Sequence, residues 1–350
     1  MMKRKVLYVG WVGFGNHGDD ICLDIFTNRF RSAGQKAGLE LEVVSLFPSR
    51  FDEFTLARIS PHLVVLGAGS LFEMVYLKPL ALAQQAGIPT AIWGSGYDSA
   101  GQDMAIPHDL AYALRQVVAG ARAVGIRGPY TLEALKSIGV EHDSLTVTGD
   151  PGLLWPPEGP QEPHGEESLP QIAVNWGTAN NNVLGRNEKH TGAQLARVLQ
   201  ELADEHRLLI YPMWPKDVDP CLTLAHAVNR PDRVQVLSEV PSPSELKAIY
   251  LESMFSINMK LHANVFSAAQ GCPFIALAYR WKCMDFAESV GCAHLAIPFS
   301  EPNLQDRLGA AVAYVIGQYE RHKAHVEKEV AEARLRLRKL EDQMLALLKM

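Results

Sequence analysis

The chain contains few cysteines, and their spacing excludes the patterns of disulfide-rich and zinc-binding proteins. Its five cysteines are scattered, odd in number and never form a CxxC pair. No run approaches the roughly 18 consecutive apolar residues of a transmembrane helix, and the opening residues MMKRKVLYVG contain no apolar core of a signal peptide. We therefore expect a soluble, cytoplasmic protein without disulfides, a zinc site or another bound metal.

An excess of basic residues is also absent. The chain of 350 residues has 33 Lys and Arg against 39 Asp and Glu, which gives a formal net charge of −6. We do not expect such a protein to bind nucleic acid along its surface, so any site for an anion must be local. The 47% hydrophobic content is typical of globular cores, and the length indicates two domains at roughly 100–200 residues each.

Continuous apolar runs alternate with helical patterns in both halves of the chain. Such alternation predicts parallel sheets that are covered by helices on both faces. We expect an α/β protein of two doubly wound halves that face each other across a cleft, with ligands beyond the carboxyl ends of the strands. The predicted strands are Lys5–Gly10, Leu41–Phe47, Leu63–Gly69, Pro89–Gly96, Ala123–Gly128, Ser144–Asp150, Gln171–Trp176, Leu208–Met213, Arg233–Leu237, Phe255–Asn258 and Pro273–Tyr279.

The predicted domain boundaries follow from changes in composition. Residues 159–170 lie in a stretch rich in Pro, Gly and Glu without apolar period, which is typical of a linker. This linker separates an N-terminal domain of residues 1–158 from a C-terminal domain of residues 171–302. Residues 303–350 are predicted to form a charged helical tail that packs on the body or, as the alternative, joins copies of the chain in a homo-oligomer.

A glycine-rich loop, GFGNHGDD, follows the first predicted strand and opens a helix. Its residues Gly15, Asn16, Gly18 and Asp19 are candidates for ligand binding, because free N–H groups at a helix start favour anions. The alternative is a tight turn in which Asp19 or Asp20 serves only as N-cap. The spacing is not that of GxGxxG, and no acidic residue ends the second strand, which argues against a dinucleotide.

Further turns of the first half carry candidate ligand contacts. The backbone at Gly69 and Ser70 in LGAGSLF is predicted to approach a sugar or phosphate, or to form a plain turn. In WGSGY, an aromatic residue beside glycines, Trp93 or Tyr97, is a candidate for stacking on a sugar ring, and the alternative is again a plain turn. Arg127 ends a strand, where its guanidinium can grip a carboxylate or phosphate with two hydrogen bonds.

The second half places cations at two strand ends. Lys260 and His262 stand where an apolar strand enters an apolar helix. A lysine there offers a point charge to an anion, and a histidine can move a proton near neutral pH. Arg280 and Lys282 follow the next strand beside two aromatic residues, and the alternative for this pair is a solvated basic loop. Position alone thus predicts a site for an anion and for proton transfer.

These motifs, taken in order, resemble the polysaccharide pyruvyl transferase family from roughly Val6 to Gly291. The resemblance is carried by GFGNHGDD, LGAGSLF, GIRGPYTLEALKSIGV, TGDPGLL and KLHANVFSAAQGCPFIALAY. Members resemble GT-B glycosyltransferases in architecture, with two Rossmann-like domains around a cleft. They typically move pyruvyl from phosphoenolpyruvate onto two hydroxyls of a sugar as a cyclic ketal. The resemblance therefore implies a transferase of polysaccharide and cell-envelope biosynthesis.

The resemblance also implies roles for single residues. Arg127, Lys260, Leu261 and His262 would hold phosphoenolpyruvate, with His262 as the acid and base. Lys282 would reach the same ligand. Phosphoenolpyruvate is a co-substrate in this scheme, so no resident cofactor is expected.

This chain departs from the family pattern at the anion site. The family usually has Arg-Leu-His where this chain has Lys260, Leu261 and His262. The exchange of arginine for lysine is not conservative at a site that binds an anion through two parallel hydrogen bonds. The family often has Tyr-Asp-Pro-Lys where this chain has Tyr-Arg-Trp-Lys, so Arg280 is expected to restore the missing charge. The segment Asn175–Asn182 is also unusual for the family and is expected to shape an acceptor site.

Other functions fit the same residues. A GT-B glycosyltransferase that uses a nucleotide sugar needs this fold and a cationic pocket, and a non-catalytic glycan- or metabolite-binding protein also fits. The acceptor is left open between a free sugar, a polymer and a lipid-linked intermediate. A lipid-linked acceptor would bring the enzyme to the inner face of the membrane.

Overall fold

The computed structural model describes residues 2–99, 101, 103–157, 169–185 and 187–349. The chain forms two compact units. Unit 1 consists of Met1–Leu154 with Glu332–Met350, and unit 2 of Trp155–Ala331. The predicted linker at 159–170 lies outside the described residues, except for Leu169 and Pro170.

Unit 1 is built on a parallel sheet of six strands. The strands are β1 Met2–Val9, β2 Leu39–Leu46, β3 Leu63–Leu66, β4 Thr90–Ser95, β5 Ala123–Ile126 and β6 Thr146–Val147. Their order in the sheet is β2-β1-β3-β4-β5-β6. The helices between them are α1 His17–Lys36, α2 Glu53–Ile59, α3 Met74–Gln85, α4 His108–Gly120 and α5 Pro129–Ser137.

The central strands of unit 1 explain why continuous apolar runs predict this sheet. Every residue of β3 and β4 is buried, as expected for parallel strands that are covered on both faces. Helix α2 was not predicted, because its seven residues are too few to show a helical period. Its start is nevertheless marked by Asp52, whose carboxylate accepts a hydrogen bond from the Thr55 N–H at 2.8 Å.

Unit 2 is built on a second parallel sheet of six strands in the order β12-β11-β10-β7-β8-β9. The strands are β7 Gln171–Asn175, β8 Arg207–Tyr211, β9 Val234–Val236, β10 Ser253–Asn258, β11 Phe274–Ala278 and β12 Ala296–Pro298. The helices are α6 Glu188–Leu202, α7 Val218–Val228, α8 Pro243–Leu251, α9 Leu261–Ala269, α10 Trp281–Ser289 and α11 Leu304–Gly317. The α/β fold with two parallel, doubly wound sheets is therefore confirmed.

Two elements of unit 2 differ from the prediction. Helix α7 follows Pro215 and contains Pro220 in its first turn, and two nearby prolines usually indicate a loop. Pro220 is tolerated because the first N–H groups of a helix have no partner within it. Strand β12 has only three residues and ends at Pro298, too short to show a period.

The charged tail contains a long helix, α12 Tyr319–Leu347, which is shared by both units. Val326 and Val330 are buried in the part that belongs to unit 2, and Leu340 and Met344 in the part that belongs to unit 1. Within unit 1, Arg29 donates to both carboxylate oxygens of Glu341 at 2.8 and 2.5 Å. Among the described residues, no helix is apolar over a length that could cross a membrane.

Candidate active site

Three predicted residues of unit 2, Lys260, Leu261 and His262, lie at the junction between β10 and α9. Strand β10 ends at Asn258 and α9 begins at Leu261, with Lys260 as N-cap in an extended conformation. All nine residues of α9 are buried, including Leu261 and His262. The helix side of the junction is therefore enclosed by packed side chains.

A hydrogen-bonded network of buried polar side chains holds the end of β10 and, with it, this junction. The Tyr211 hydroxyl donates to Asn258 Oδ1 at 3.1 Å and lies 2.9 Å from the Tyr250 hydroxyl. Asn258 Nδ2 donates to Ser256 Oγ at 2.7 Å, and Ser256 Oγ lies 2.7 Å from Ser267 Oγ. Burial raises the pKa of Tyr211 and of Tyr250, so both hydroxyls remain neutral partners. Such a satisfied buried network holds a single local geometry.

His262 lies one turn before Phe266 on α9, and the two rings stack. Their centroids are 5.6 Å apart with an interplanar angle of 18°, and His262 is 7% exposed. The stack fixes the plane of the imidazole ring. Asn264 Nδ2 donates to the Lys260 carbonyl at 3.0 Å, which ties the first turn of α9 to its N-cap.

Lys260 has partners at both ends. Its backbone N–H donates to Asn175 Oδ1 at 2.9 Å. Its ammonium donates to the Thr178 carbonyl at 2.6 Å and lies 3.0 Å from Asp217 Oδ1. Burial raises the pKa of Asp217, while the charge of Lys260 and the Thr178 N–H act in the opposite direction. The sequence pattern does not single out Asp217; its only signal is an acidic residue shortly after a strand.

One of the two cations that follow β11, Lys282, shares an aromatic neighbour with Lys260. Arg280 is the N-cap of α10, with an extended backbone. The Lys282 ammonium lies 5.0 Å from the centre of the Tyr279 ring, and the Lys260 ammonium lies 6.0 Å from the same ring. The structure thus brings Lys260 and Lys282 together around one aromatic side chain, because β10 and β11 are neighbouring parallel strands.

In unit 1, the first predicted loop is held by a different cap from the one expected. Asn16 caps α1, and its side-chain oxygen accepts a hydrogen bond from the Gly18 N–H at 3.3 Å. The interpretation of Asp19 or Asp20 as N-cap is therefore wrong. Gly15 has φ +67°, a conformation that favours glycine.

The buried Asp19 adjoins the next glycine turn of unit 1. A Cβ atom on Gly69 would lie 3.4 Å from Asp19 Oδ1, so the two predicted loops are neighbours. On Gly67, a Cβ atom would overlap the Tyr8 ring. The Tyr8 hydroxyl accepts a hydrogen bond from the Ala68 N–H at 3.0 Å, and the Ser95 hydroxyl donates to the Gly67 carbonyl. Packing within unit 1 therefore suffices to explain Gly67.

Trp93 does not form a platform for a sugar ring. It is fully buried and makes edge contacts with Phe26 and Tyr8, at centroid distances of 5.0 and 6.4 Å. The interpretation of Trp93 as a stacking residue is therefore wrong. Continuous burial of β4 on both faces is the physical reason.

Arg127 is the largest charged side chain in the interior of unit 1, with 0% exposure. Its Nη1 donates to Ser70 Oγ at 3.2 Å and its Nη2 to the Tyr97 carbonyl at 3.3 Å. A Cβ atom on Gly96 would overlap the guanidinium. The structure thus joins two predicted residues, Arg127 and Ser70, and shows that Gly96 leaves room for the arginine.

Each unit therefore has a doubly wound parallel sheet with its candidate residues after the carboxyl ends of strands, so the chain has two Rossmann-like units, as GT-B-like folds do. Solved structures share this fold. S. aureus MnaA in a co-structure with UDP is 13% identical, with a TM-score of 0.60, and the match covers 93% of this chain and 91% of that chain. A glycosyltransferase from Rickettsia africae is 11% identical, with a TM-score of 0.58, and the match covers 98% and 96%.

A third solved structure is the UDP-GlcNAc 2-epimerase from Neisseria meningitidis bound to UDP-GlcNAc. It is 10% identical, with a TM-score of 0.57, and the match covers 97% of this chain and 99% of that chain. Among curated protein sequences, none matches the chain. The family model of polysaccharide pyruvyl transferase matches residues 13–280, and the chain belongs to this family.

Proposed function

We propose that this transferase moves the pyruvyl group of phosphoenolpyruvate onto two hydroxyls of a sugar, as a cyclic ketal, with release of phosphate. The observation that supports this proposal is the β10–α9 junction of unit 2. There a buried histidine with a fixed ring plane, His262, adjoins Lys260 in the chain. Lys260 in turn shares the Tyr279 ring with Lys282.

The chemistry of the donor suits these residue types. Phosphoenolpyruvate carries a carboxylate and a phosphate, and Arg280 and Lys282 supply positive charge for them. His262 gives a proton to the methylene carbon, which leaves C2 electron-poor. A sugar hydroxyl then adds to C2 and returns its proton to His262. The general acid and base contributes roughly 10²–10⁴-fold to the rate.

The second half of the reaction completes the ketal. The C2–O bond to phosphate breaks and inorganic phosphate leaves, after which the second hydroxyl adds to C2 and its proton passes to the phosphate. Cations that neutralise the departing phosphate stabilise this transition state. The acceptor is a carbohydrate, either free, polymeric or lipid-linked.

Transfer from a nucleotide sugar is the second candidate. It is favoured by the fold that the chain shares with S. aureus MnaA, which was solved with UDP, and with a glycosyltransferase. Both candidates need cations for phosphate groups. They differ in the donor, so the donor decides between them.

The experiment is a comparison of donors with the purified chain. Phosphoenolpyruvate is supplied with a panel of sugars, sugar polymers and sugar diphosphates, and phosphate release and the mass of the acceptor are measured. UDP-sugars are supplied in parallel, and release of UDP is measured. Phosphate release together with an acceptor that gains one pyruvyl ketal supports the proposal. UDP release without reaction of phosphoenolpyruvate supports the second candidate instead.

A further inference from the structure

Asp217 is fully buried at the end of a short 3-10 helix, Pro215–Asp217, that follows β8. Its Oδ1 accepts a hydrogen bond from the Thr178 N–H at 2.9 Å and contacts the Lys260 ammonium at 3.0 Å. A Cβ atom on Gly177 would overlap the Asp217 carboxylate. The turn after β7 is therefore shaped to receive this side chain, and only glycine fits at position 177.

Lys260 also binds the turn after β7. Its ammonium donates to the Thr178 carbonyl and its backbone N–H to Asn175 Oδ1. The turn after β7 is thus bound by Asp217 at one peptide group and by Lys260 at the next. Strands β10, β7 and β8 are consecutive neighbours in the sheet, so these contacts join the ends of three adjacent strands.

Lys260 and Asp217 form an ion pair within unit 2, so each balances the charge of the other. An isolated buried carboxylate is costly, and removal of one partner of a buried ion pair leaves an uncompensated charge. Among the described residues, Asp217 Oδ2 has no hydrogen-bond partner. The Thr178 and Met213 N–H groups stabilise the carboxylate, and Lys260 supplies its charged contact.

Glu188 also holds the turn after β7, through the residues that follow Thr178. Glu188 Oε1 accepts hydrogen bonds from the Ala179 N–H at 2.6 Å and from the Asn181 N–H at 2.9 Å. Asn180 and Asn181 both have positive φ, at 53° and 57°, a conformation that asparagine tolerates better than most residues. Residues 175–182 are therefore an ordered turn rather than a loose loop.

We infer that Asp217 is a positioning residue, which holds Lys260 against the turn after β7 and thereby fixes the β10–α9 junction that carries His262. In this arrangement Lys260 orients the junction, and the net positive charge for the donor comes from Arg280 and Lys282. The inference rests on the proposed function for the role of His262, but not for the ion pair itself.

The test separates positioning from direct binding of the donor. Asp217→Asn and Lys260→Met are each expected to lower kcat roughly tenfold or more, because a misplaced catalytic group costs rate. The KM for phosphoenolpyruvate is expected to change by less than about threefold in both variants. Lys282→Met is expected to show the opposite split, with a KM raised roughly tenfold. Lys260→Arg keeps the charge and is expected to recover most of the lost kcat.

The double variant shows whether the two residues act as one unit. Asp217→Asn with Lys260→Met is expected to lower kcat no further than the stronger single variant. The matched control is Asp204→Asn, which removes the surface ion pair of Asp204 with Arg230 and is expected to leave kcat and KM unchanged. If Lys260→Met raises the KM strongly at constant kcat and Asp217→Asn changes neither constant, Lys260 binds the donor and the inference is wrong.

Hydrogen exchange tests the ion pair without any turnover. In Asp217→Asn and in Lys260→Met, the amides of residues 176–182 are expected to exchange faster than in the unchanged chain, whereas Lys282→Met leaves them protected. If Asp217→Asn does not fold, Lys260→Met carries the test, because Asp217 can then take up a proton. Unchanged protection in both variants overturns the inference. Absence of phosphate release by the unchanged chain overturns only the proposed function.

Discussion

Both units are built on parallel sheets of six strands, with different strand orders, and different kinds of residue line the carboxyl edges of the two sheets. Unit 1 uses glycines there, because Tyr8 and Arg127 fill the space that side chains on Gly67 and Gly96 would need. Unit 2 uses charged and aromatic side chains, with Lys260 and Lys282 around the Tyr279 ring. The carboxyl edge of a parallel sheet thus fixes where a site can form, while the side chains at each strand end decide what it can do.

The largest expected effect comes from replacing His262, the proposed proton-transfer group of unit 2. His262→Ala is expected to lower kcat by roughly 10²–10⁴-fold, because the general acid and base is lost, while binding of phosphoenolpyruvate persists. Phosphate release and calorimetric binding measure the two quantities. His226→Ala is the control, since His226 is exposed on α7. Normal turnover by His262→Ala would show that the chemistry of this edge belongs to another residue.

The next largest expected effect is a loss of stability in acid, which comes from a histidine of unit 2. Burial lowers the pKa of His322, which is 3% exposed in unit 2, from 6.5 to about 4. As the pH falls below 6.5, the unfolded chain therefore takes up this proton first, and stability is lost until about pH 4. The loss is about 3 kcal/mol at 1.36 kcal/mol for each pKa unit.

Urea unfolding of the unchanged chain and of His322→Gln between pH 7 and pH 4.5 measures this effect. The variant is expected to lose less stability over this range than the unchanged chain does. His226→Gln, in which an exposed histidine is replaced, is expected to retain the full loss. If all three proteins lose the same stability between pH 7 and pH 4.5, His322 does not cause the loss.

Substitutions of Arg127 in unit 1 and of Lys282 in unit 2 are expected to differ in their effect on the free energy of unfolding. Arg127→Met is expected to lower the free energy of unfolding by about 2–3 kcal/mol, because buried polar partners at Ser70 and Tyr97 lose their donor. Lys282→Met is expected to change it by less than about 0.5 kcal/mol. Guanidinium unfolding measures both values. An Arg127→Met protein of unchanged stability would mean that the arginine is retained for ligand binding alone.

A glycine of unit 1, Gly67, gives a smaller expected loss than Arg127 does. Gly67→Ala is expected to cost about 1–3 kcal/mol, because the added methyl overlaps the Tyr8 ring. Gly309→Ala on α11 is the matched control, since no atom lies within 4 Å of a Cβ atom there. That control is expected to gain about 0.5–1 kcal/mol from the higher helix propensity of alanine. A neutral Gly67→Ala would imply that this turn is open enough for a ligand.

The sequence predicts much of this fold because its information is local. The runs that became β3 and β4 are apolar throughout, and burial on both faces requires that composition. Helix α2 and strand β12 escape prediction because their lengths are too short for a period. The positions of Lys260 and His262 after a strand were also readable, and their roles stay predictions.

The contacts that give those positions meaning are not local. The Lys260 ammonium finds its carbonyl partner 82 residues earlier in the chain, and the Tyr8 hydroxyl finds its donor 60 residues later. No periodicity or motif encodes such a pairing, so Asp217 stays invisible in the sequence and Gly67 resembles a ligand-binding glycine. Trp93 failed as a candidate for the same reason, because only the packed core shows that its ring is enclosed.

Helix α12 has a consequence for the order in which the protein forms during synthesis. Unit 1 is completed by Glu332–Met350, after all of unit 2 has been made. At about 5–20 residues per second, the first part of unit 1 waits roughly 10–35 s for its last segment. Until then, Arg29 lacks the carboxylate of Glu341, which lies 312 residues later. Unit 2 is therefore expected to be complete first on the ribosome, while unit 1 still lacks its last segment.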